Sequence, residues 1–357
     1  MPYRAPRWLA GHGALGGNVQ TIWPALYSGT HADHGKLPVS YRRERWDTPD
    51  GDFIDVDFQE AALAMRLADG ERPLLVLFHG LEGSSQSHYA RAFAHWAHAR
   101  GWDYAVPHFR GCSGELNIAP RFYHSGDSAE IRWVLERVRN QVHTVQPGRQ
   151  MLAVGISLGG NALLRYLGEE GRGANFLSAA AAVSAPLDLA AGGAALSSGF
   201  NMIYTRMFLQ TLKRKSLAKL EQFPGLYDRE TMLGSRDLYA FDNVVTAPLH
   251  GFRDTDDYWA RASSKPILGE IRIPTLVLNA RNDPFLPSQH LPGPREVSDD
   301  VLLEQPEHGG HVGFMTPREG LLGQLPLLPF AGHIEWLPTR ILDYFDSVRA
   351  ARGTPAT

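Results

Sequence analysis

The sequence predicts an α/β fold with a mostly parallel central sheet and helices on both faces of that sheet. Two observations carry this prediction. From about residue 40, short apolar runs alternate with helical patterns, and runs such as Pro73 to Phe78 are apolar throughout. Alternating strands and helices build parallel sheets, and a strand that is covered on both faces has no polar side.

The predicted elements follow this alternation along the chain. Two strands joined by the turn at residues 48–51 come first, and the aspartates that alternate with Ile54, Val56 and Phe58 mark the second strand. Asp127 resembles the first residue of a capping box that opens a helix. The predicted strands cover residues 43–47, 54–58, 73–78, 104–106, 151–155, 176–183, 275–278 and 301–303. The predicted helices carry buried stripes over residues 89–97 and 131–138 and cover residues 158–167 and 338–348.

The alternation of strand and helix breaks between Pro186 and Ser264. This stretch has apolar residues at helical spacing, such as Ile203, Met207 and Leu212, but no clear strand. We therefore predict a single domain over residues 1–357, with a core formed by residues 40–185 and 265–350. Residues 186–264 are predicted to be a helical, cap-like insertion, although 357 residues would also allow two ordinary domains.

Composition excludes several functional classes. Lysine and arginine total 35 against 38 aspartates and glutamates, and this formal charge of −3 argues against a nucleic-acid binder. The single cysteine, Cys112, allows neither an intrachain disulfide nor a Cys-based zinc site, and it favours a reducing compartment. The N-terminus lacks an apolar signal region, and no run of about 20 apolar residues is uninterrupted. We therefore predict a cytoplasmic protein with no membrane segment and no nucleic-acid partner.

Two groups of residues outside the predicted core are candidate binding sites. His12, His31 and His34 match no standard metal-ligand spacing, so no metal site is predicted. Three of the five lysines lie in the segment Lys213 to Lys219. This segment is predicted to be a solvated helix face, and a patch for an anionic membrane or ligand is the alternative.

The strongest chemical signal is the motif Gly155-Ile156-Ser157-Leu158-Gly159, which lies between a predicted strand and a predicted helix. A chain that turns sharply from strand to helix needs residues without bulk on either side of the central serine. The turn leaves the serine hydroxyl exposed at the positive N-terminal end of the helix. This arrangement is the nucleophile elbow of α/β-hydrolases, and it makes Ser157 the predicted nucleophile.

A serine hydroxyl is a poor nucleophile unless a base takes its proton and a third group orients that base. In this fold the acid and then the histidine follow the serine along the chain. Asp283 lies in the loop after the strand 275–278, where the acid is expected, although an aspartate before proline also suits an Asx turn. His311 follows two glycines and can therefore reach over the sheet edge, while His308 remains the alternative on spacing alone.

Acyl transfer also needs hydrogen-bond donors for the oxyanion that develops on the carbonyl. The segment His79-Gly80-Leu81-Glu82 follows the strand 73–78, and the small Gly80 lets its backbone approach a substrate. The backbone amides of Leu81 and of Leu158, the residue after the nucleophile, are the predicted oxyanion donors. The alternative is that His-Gly is only a turn that ends the strand.

These motifs together resemble the YheT-like branch of the α/β-hydrolases, which is related to the eukaryotic α/β-hydrolase-domain esterases and phospholipases. The resemblance runs over most of the chain, through residues 17–24, 79–84, 109–115, 123–126, 155–161, 241–242, 250–252, 283–285 and 309–314. It implies a serine ester hydrolase with Ser157, Asp283 and His311 as its triad, and it supports His311 over His308.

The chain departs from the family pattern in two places. Asn18-Val19 stands where the family commonly has His-Leu. The Leu- and Pro-rich stretch Leu321 to Phe330 is longer than usual for the family. We predict that this stretch is a packed loop, and an acyl-binding lip is the alternative.

The sequence therefore predicts a carboxylesterase that needs neither a cofactor nor a metal. Ser157 would attack the ester carbonyl, His311 would move the proton, Asp283 would orient His311, and water would resolve the acyl-enzyme. The near-zero charge favours a neutral or apolar small-molecule ester, acyl lipids included, over a polyanion. Two alternatives stay open: an acyltransferase or thioesterase with the same acyl-enzyme, and a lipid-binding module of this fold without catalytic activity.

Overall fold

The core of the structure is an eight-stranded, mostly parallel sheet. The structure is a computed structural model that describes residues 2–5, 16–27, 40–60, 72–146, 148–317 and 332–353. The strands are β1 (Arg42–Asp47), β2 (Phe53–Gln59), β3 (Leu74–Phe78), β4 (Asp103–Pro107), β5 (Met151–Ile156), β6 (Leu177–Val183), β7 (Thr275–Leu278) and β8 (Val301–Glu304). They lie in the order β1-β2-β4-β3-β5-β6-β7-β8, and β2 pairs antiparallel with both of its neighbours while β3 to β8 are parallel. A short second sheet pairs β9 (Thr316–Pro317) with β10 (Gly332–His333).

Helices cover both faces of this sheet. They are α1 (Gly16–Tyr27), α2 (His88–Ala99), α3 (Ser128–Val145), α4 (Leu158–Glu170), α5 (Leu189–Leu196), α6 (Met202–Gln222), α7 (Arg229–Gly234), α8 (Leu238–Phe241), α9 (Ala247–Leu249), α10 (Thr255–Ala262) and α11 (Trp336–Gly353). Leu74, Val76 and Phe78 of β3 pack in one apolar cluster with α3 and α4, whereas Leu75 and Leu77 pack in a second cluster with α2 and α11. Successive strand residues point to opposite faces, so an apolar strand has to be covered twice. The predicted parallel sheet between two layers of helices is therefore confirmed.

The segment between β6 and β7 is described throughout, and it contains helices, turns and coil but no strand. It holds α5 to α10, of which the 21-residue α6 is the longest. A π-helical turn, Asp242–Thr246, joins α8 to α9. Such turns interrupt α-helices, frequently at functional sites.

The lysines of the segment Lys213 to Lys219 do not form the predicted solvated face, so that prediction is wrong. Lys219 is fully buried, and its ammonium donates to two backbone carbonyls of the chain before α3, at 2.6 and 2.9 Å. Lys213 donates to two carbonyls at the end of α7, at 2.7 and 2.5 Å. Lys215 forms an ion pair with Glu82 at 2.8 Å. Helical spacing could not reveal these contacts, because the partners come from distant segments of the chain.

Two local features differ from the sequence prediction. The helix α1 lies in an N-terminal segment for which no helix was expected, and it contains Pro24. Asp127 caps α3 by accepting from the Glu130 N–H at 3.4 Å. The Glu130 carboxylate, however, accepts from the buried guanidinium of Arg110 at 2.6 Å instead of completing a capping box.

Several sequence-based expectations concern membrane segments, metal sites and residues outside the described ranges. No helix within the described ranges is both long and apolar enough to cross a membrane. In the same ranges, no group of three or more His, Cys, Asp or Glu side chains is placed to hold a metal ion. His12, His31, His34 and the stretch Leu321 to Phe330 lie outside the described residues.

Candidate active site

Ser157 occupies the turn between β5 and α4, with φ +52° and ψ −120°. Positive φ is costly for a residue with a side chain and persists only where the surroundings impose it. A Cβ on Gly155 would lie 2.5 Å from the Gly159 carbonyl oxygen. A Cβ on Gly159 would lie 2.5 Å from the carbonyl oxygens of Phe78 and His79. The two glycines of the motif therefore allow the close strand–helix approach that exposes Ser157.

The structure brings the three predicted triad residues into one hydrogen-bonded row. His311 Nε2 lies 2.9 Å from Ser157 Oγ, and His311 Nδ1 lies 2.9 Å from Asp283 Oδ2. Asp283 is buried, and its Oδ1 also accepts from the Phe285 N–H at 2.8 Å. A carboxylate can only accept, so Nδ1 carries the imidazole proton and Nε2 is left to accept from the Ser157 hydroxyl.

The alternative histidine, His308, lies elsewhere. It lines a separate surface depression together with Tyr3 and Trp336. His311 instead stacks on the ring of Phe285, with ring centroids 4.0 Å apart. The stacking fixes the plane of the imidazole between Asp283 and Ser157.

The helix α1 fixes the loop that carries His311. Three successive N–H groups of this loop donate to side chains: Gly309 to Gln20 at 2.5 Å, Gly310 to Asn282 at 3.0 Å, and His311 to Thr21 at 2.9 Å. The contact is so close that a Cβ on Gly310 would lie 2.7 Å from a carbonyl oxygen of α1. Loop backbone that is held at every N–H cannot shift the imidazole without breaking these bonds.

His79 orients the peptide group that contains the Leu81 N–H. The Gly80 carbonyl accepts from His79 Nδ1 at 2.8 Å and from the Gly83 N–H at 2.9 Å. His79 Nε2 accepts from the Phe109 N–H at 3.0 Å, which assigns the ring proton to Nδ1. Burial lowers the pKa of His79 to about 3, so the ring is neutral at physiological pH. The C=O and N–H of a trans peptide point in opposite directions, so fixing the Gly80 carbonyl also fixes the Leu81 N–H.

Neither the Leu81 amide nor the Leu158 amide has a protein acceptor in the described part of the chain. The neighbouring N–H groups of Gly80 and Glu82 donate to tyrosine hydroxyls at 2.9 and 2.8 Å. Leu158 is the first residue of α4, where an N–H has no acceptor within the helix. Leu81 and Leu158 both line the cavity that contains Ser157. Both predicted oxyanion donors are therefore free to bind an anionic oxygen.

The cavity has two compartments, which share Leu81, Ser125, Leu158, Leu238, Asp242 and Tyr258. The first, here called the His311 compartment, is lined by Ser157, His311, Pro186, Leu196, Phe208 and Phe285, among others. The second, the Leu212 compartment, includes Phe122, Leu212, Phe241 and Val245, with Lys215 and Glu82 on its wall. Much of both linings comes from residues 186–264.

Burial shifts the pKa of three groups near these compartments. It raises the pKa of Asp242, which lines both compartments, to about 6, although Thr246 and Trp259 donate to its carboxylate. It lowers the pKa of His124 to about 3. It raises the pKa of the Cys112 thiol to about 12, so Cys112 carries no thiolate at physiological pH and is not a nucleophile.

Sequence reasoning gave no role to Gln20, Thr21 or the His79 side chain. The first two lie in the N-terminal segment 17–24, which the sequence marked only as part of a family resemblance. No spacing rule connects them to residue 311, because 290 positions separate Thr21 from His311. His79 directly precedes the glycine of the predicted oxyanion loop. This place in the sequence was the only feature that could have indicated a role for its side chain.

Comparison with known proteins shows the family to which the chain belongs. A family model described as alpha/beta hydrolase fold matches residues 73–317. YheT of Escherichia coli, whose name assigns it provisionally as an esterase, is 36% identical over 94% of this chain and 92% of its own length. The mouse phospholipase ABHD3 is 33% identical over 78% of this chain and 68% of its own length. Among solved structures, an esterase of Pyrococcus furiosus superposes with a TM-score of 0.52 at 14% identity, covering 86% of this chain and 91% of that one, which is a likeness of fold. The chain therefore belongs to the α/β-hydrolase family, in its YheT-like branch.

Proposed function

We propose that this protein is a serine hydrolase of carboxylic esters, with Ser157, His311 and Asp283 as its catalytic residues. The observation that carries the proposal is the distance of 2.9 Å between Ser157 Oγ and His311 Nε2, with Nδ1 of the same ring on Asp283. A nucleophile, a base and an orienting acid in one row are what acyl transfer through a serine requires. The relatives named as phospholipase and esterase support the same reaction class.

The reaction follows from the hydrogen bonds. His311 Nε2 takes the hydroxyl proton as Ser157 Oγ attacks the ester carbonyl, and the Leu81 and Leu158 amides stabilise the oxyanion. The imidazolium then gives its proton to the leaving alkoxide, which departs as the alcohol and leaves an acyl-serine. Water attacks the acyl-serine with His311 again as base, and the acid and the free serine are released.

The lining of the cavity supports a neutral, apolar acyl ester as the substrate. Leu81, Leu158, Leu238 and Tyr258 form much of the junction of the compartments, together with Ser125 and Asp242. Apolar atoms make up most of the exposed lining of both compartments. Residues 186–264 contribute much of this wall, so we propose that they act as a cap on a single α/β domain. The cap would exclude water while the ester is bound.

The decisive experiment is labelling of the purified protein with a fluorophosphonate probe. We expect the wild type to be labelled and Ser157→Ala to be unlabelled. Ser198→Ala is the control, because Ser198 is exposed, lines neither compartment, and its loss should leave labelling intact. A folded wild type that stays unlabelled would contradict the proposal and favour a binding module without catalysis.

Product analysis separates hydrolysis from the other reactions of an acyl-enzyme. Matched ester and thioester substrates are compared, each with and without a competing alcohol. We expect free acid from the ester under both conditions. Preferential cleavage of the thioester would identify a thioesterase, and acyl transfer to the alcohol would identify an acyltransferase.

A further inference from the structure

The two compartments differ in their position relative to the reacting groups. The His311 compartment contains both Ser157 and His311. The Leu212 compartment contains neither of them, but Leu81 and Leu158, the proposed oxyanion donors, form part of its wall. A substrate that fills both compartments therefore extends past Leu81 and Leu158.

We infer that the alcohol portion of the ester binds in the His311 compartment and that the acyl chain binds in the Leu212 compartment. This inference rests on the proposed function. At the tetrahedral carbon, the leaving oxygen has to reach His311 Nε2 to receive its proton, which puts the alcohol on the side of His311. The oxyanion points to the Leu81 and Leu158 amides. The acyl chain takes the remaining direction, past these two residues into the Leu212 compartment.

The composition of the Leu212 compartment defines the acyl group that fits. Phe122, Leu212 and Val245 offer an apolar wall for a hydrocarbon chain. Lys215 lies on the same wall, but its charge is balanced by Glu82 at 2.8 Å. Asp242, His124 and His250 also line this compartment, and Thr246 and Trp259 donate to the Asp242 carboxylate. Most of the exposed lining is apolar, so the compartment suits an uncharged, apolar acyl chain.

The helix α6 contributes to both compartments, with Phe208 in the His311 compartment and Leu212, Lys215 and Ser216 in the Leu212 compartment. Phe208 lines the His311 compartment, and Leu212, one helical turn later, lines the Leu212 compartment; neither residue lines both. The two positions share the same helix and similar burial, so they form a matched pair. Val245, in the π-helical turn after α8, lines the Leu212 compartment alone and provides a second test of it.

The experiment measures kcat/KM for two ester series with the wild type, Leu212→Trp and Phe208→Trp. One series varies the acyl chain of p-nitrophenyl esters from acetyl to dodecanoyl, and the other varies the alcohol of acetate esters. We expect Leu212→Trp to lower kcat/KM for long acyl chains by roughly tenfold or more while acetyl esters stay within about twofold. We expect Phe208→Trp to lower kcat/KM for the larger alcohols. Its dependence of kcat/KM on acyl chain length should match that of the wild type.

Separate outcomes identify failure of this inference and failure of the proposed function. If the wild type hydrolyses neither series and resists fluorophosphonate, the proposed function fails. The assignment of compartments is overturned if the wild type hydrolyses esters but Leu212→Trp changes kcat/KM according to the size of the alcohol. It is also overturned if the effect of Leu212→Trp depends on neither the alcohol nor the acyl chain. Val245→Phe repeats the acyl test in case Leu212→Trp does not fold, and inhibition of the wild type by alkylphosphonates of increasing chain length tests it without any variant.

Discussion

The hydrogen bond from the His311 N–H to Thr21 gives the sharpest prediction, because it joins the N-terminal helix to the proposed base. The Thr21 hydroxyl accepts from the His311 N–H at 2.9 Å and donates to the Gly17 carbonyl at 2.7 Å, in a buried position. Thr21→Val keeps the shape of the side chain and removes the acceptor. The His311 N–H would then be buried without a partner.

The magnitude follows from the cost of that unpaired donor. Leaving a buried donor unsatisfied costs about 1–3 kcal/mol. If all of this cost falls on the productive position of His311, it corresponds to a fall of about 5- to 150-fold in rate. Because Thr21 does not line either compartment, we expect the fall in kcat and little change in KM.

The assay is steady-state hydrolysis of a p-nitrophenyl ester by the wild type, Thr21→Val and Thr21→Ser, with unfolding in urea measured in parallel. Thr21→Ser keeps the hydroxyl and should retain most of the activity. The reasoning is refuted if Thr21→Val loses stability but keeps its kcat, because α1 would then only support the fold. It is also refuted if Thr21→Ser loses as much activity as Thr21→Val.

Three further predictions concern the oxyanion loop, a buried carboxylate and the inward lysine. His79→Leu should lower kcat by up to about 100-fold, because the Leu81 N–H loses its orienting bond, and His79→Asn, which keeps a donor near Nδ1, should retain more activity in the same assay. Burial alone would raise the pKa of Asp57, but hydrogen bonds from Arg43, His108 and Ser85 outweigh it and lower that pKa. The ionised Asp57 therefore stabilises the fold above pH 3.8. Asp57→Asn should lower the free energy of unfolding at pH 7 by about 1–3 kcal/mol, and this difference should shrink on acidification. Lys219→Met should cost about 1–3 kcal/mol because it leaves buried carbonyls unpaired. Arg214→Met, at an exposed position of the same helix, should stay within about 0.5 kcal/mol, and equal stability of the two variants in urea would contradict the buried contacts.

Much of the fold could be predicted because its signals are local. The strand Pro73 to Phe78 and the motif around Ser157 each occupy a few consecutive residues, so composition and spacing suffice to recognise them. Residues 186–264 could be told apart from the core for the same reason, because the alternation of strand and helix stops there. The N-terminal helix was missed because a short segment with Pro24 carries no helical pattern of its own and is stabilised by the loop against which it packs.

The sequence by itself determined the order of strands and helices, the position of Ser157 in a tight turn and the residue types available for acid and base. Only the tertiary structure decided how these groups meet: His311 reaches Ser157 across 154 positions, and Thr21 reaches His311 across 290. It also turned Lys219 inward and divided the cavity between Phe208 and Leu212. The physical reason is that a turn or a strand depends on neighbouring residues, whereas a hydrogen bond between distant segments depends on distances that exist only after the chain has folded.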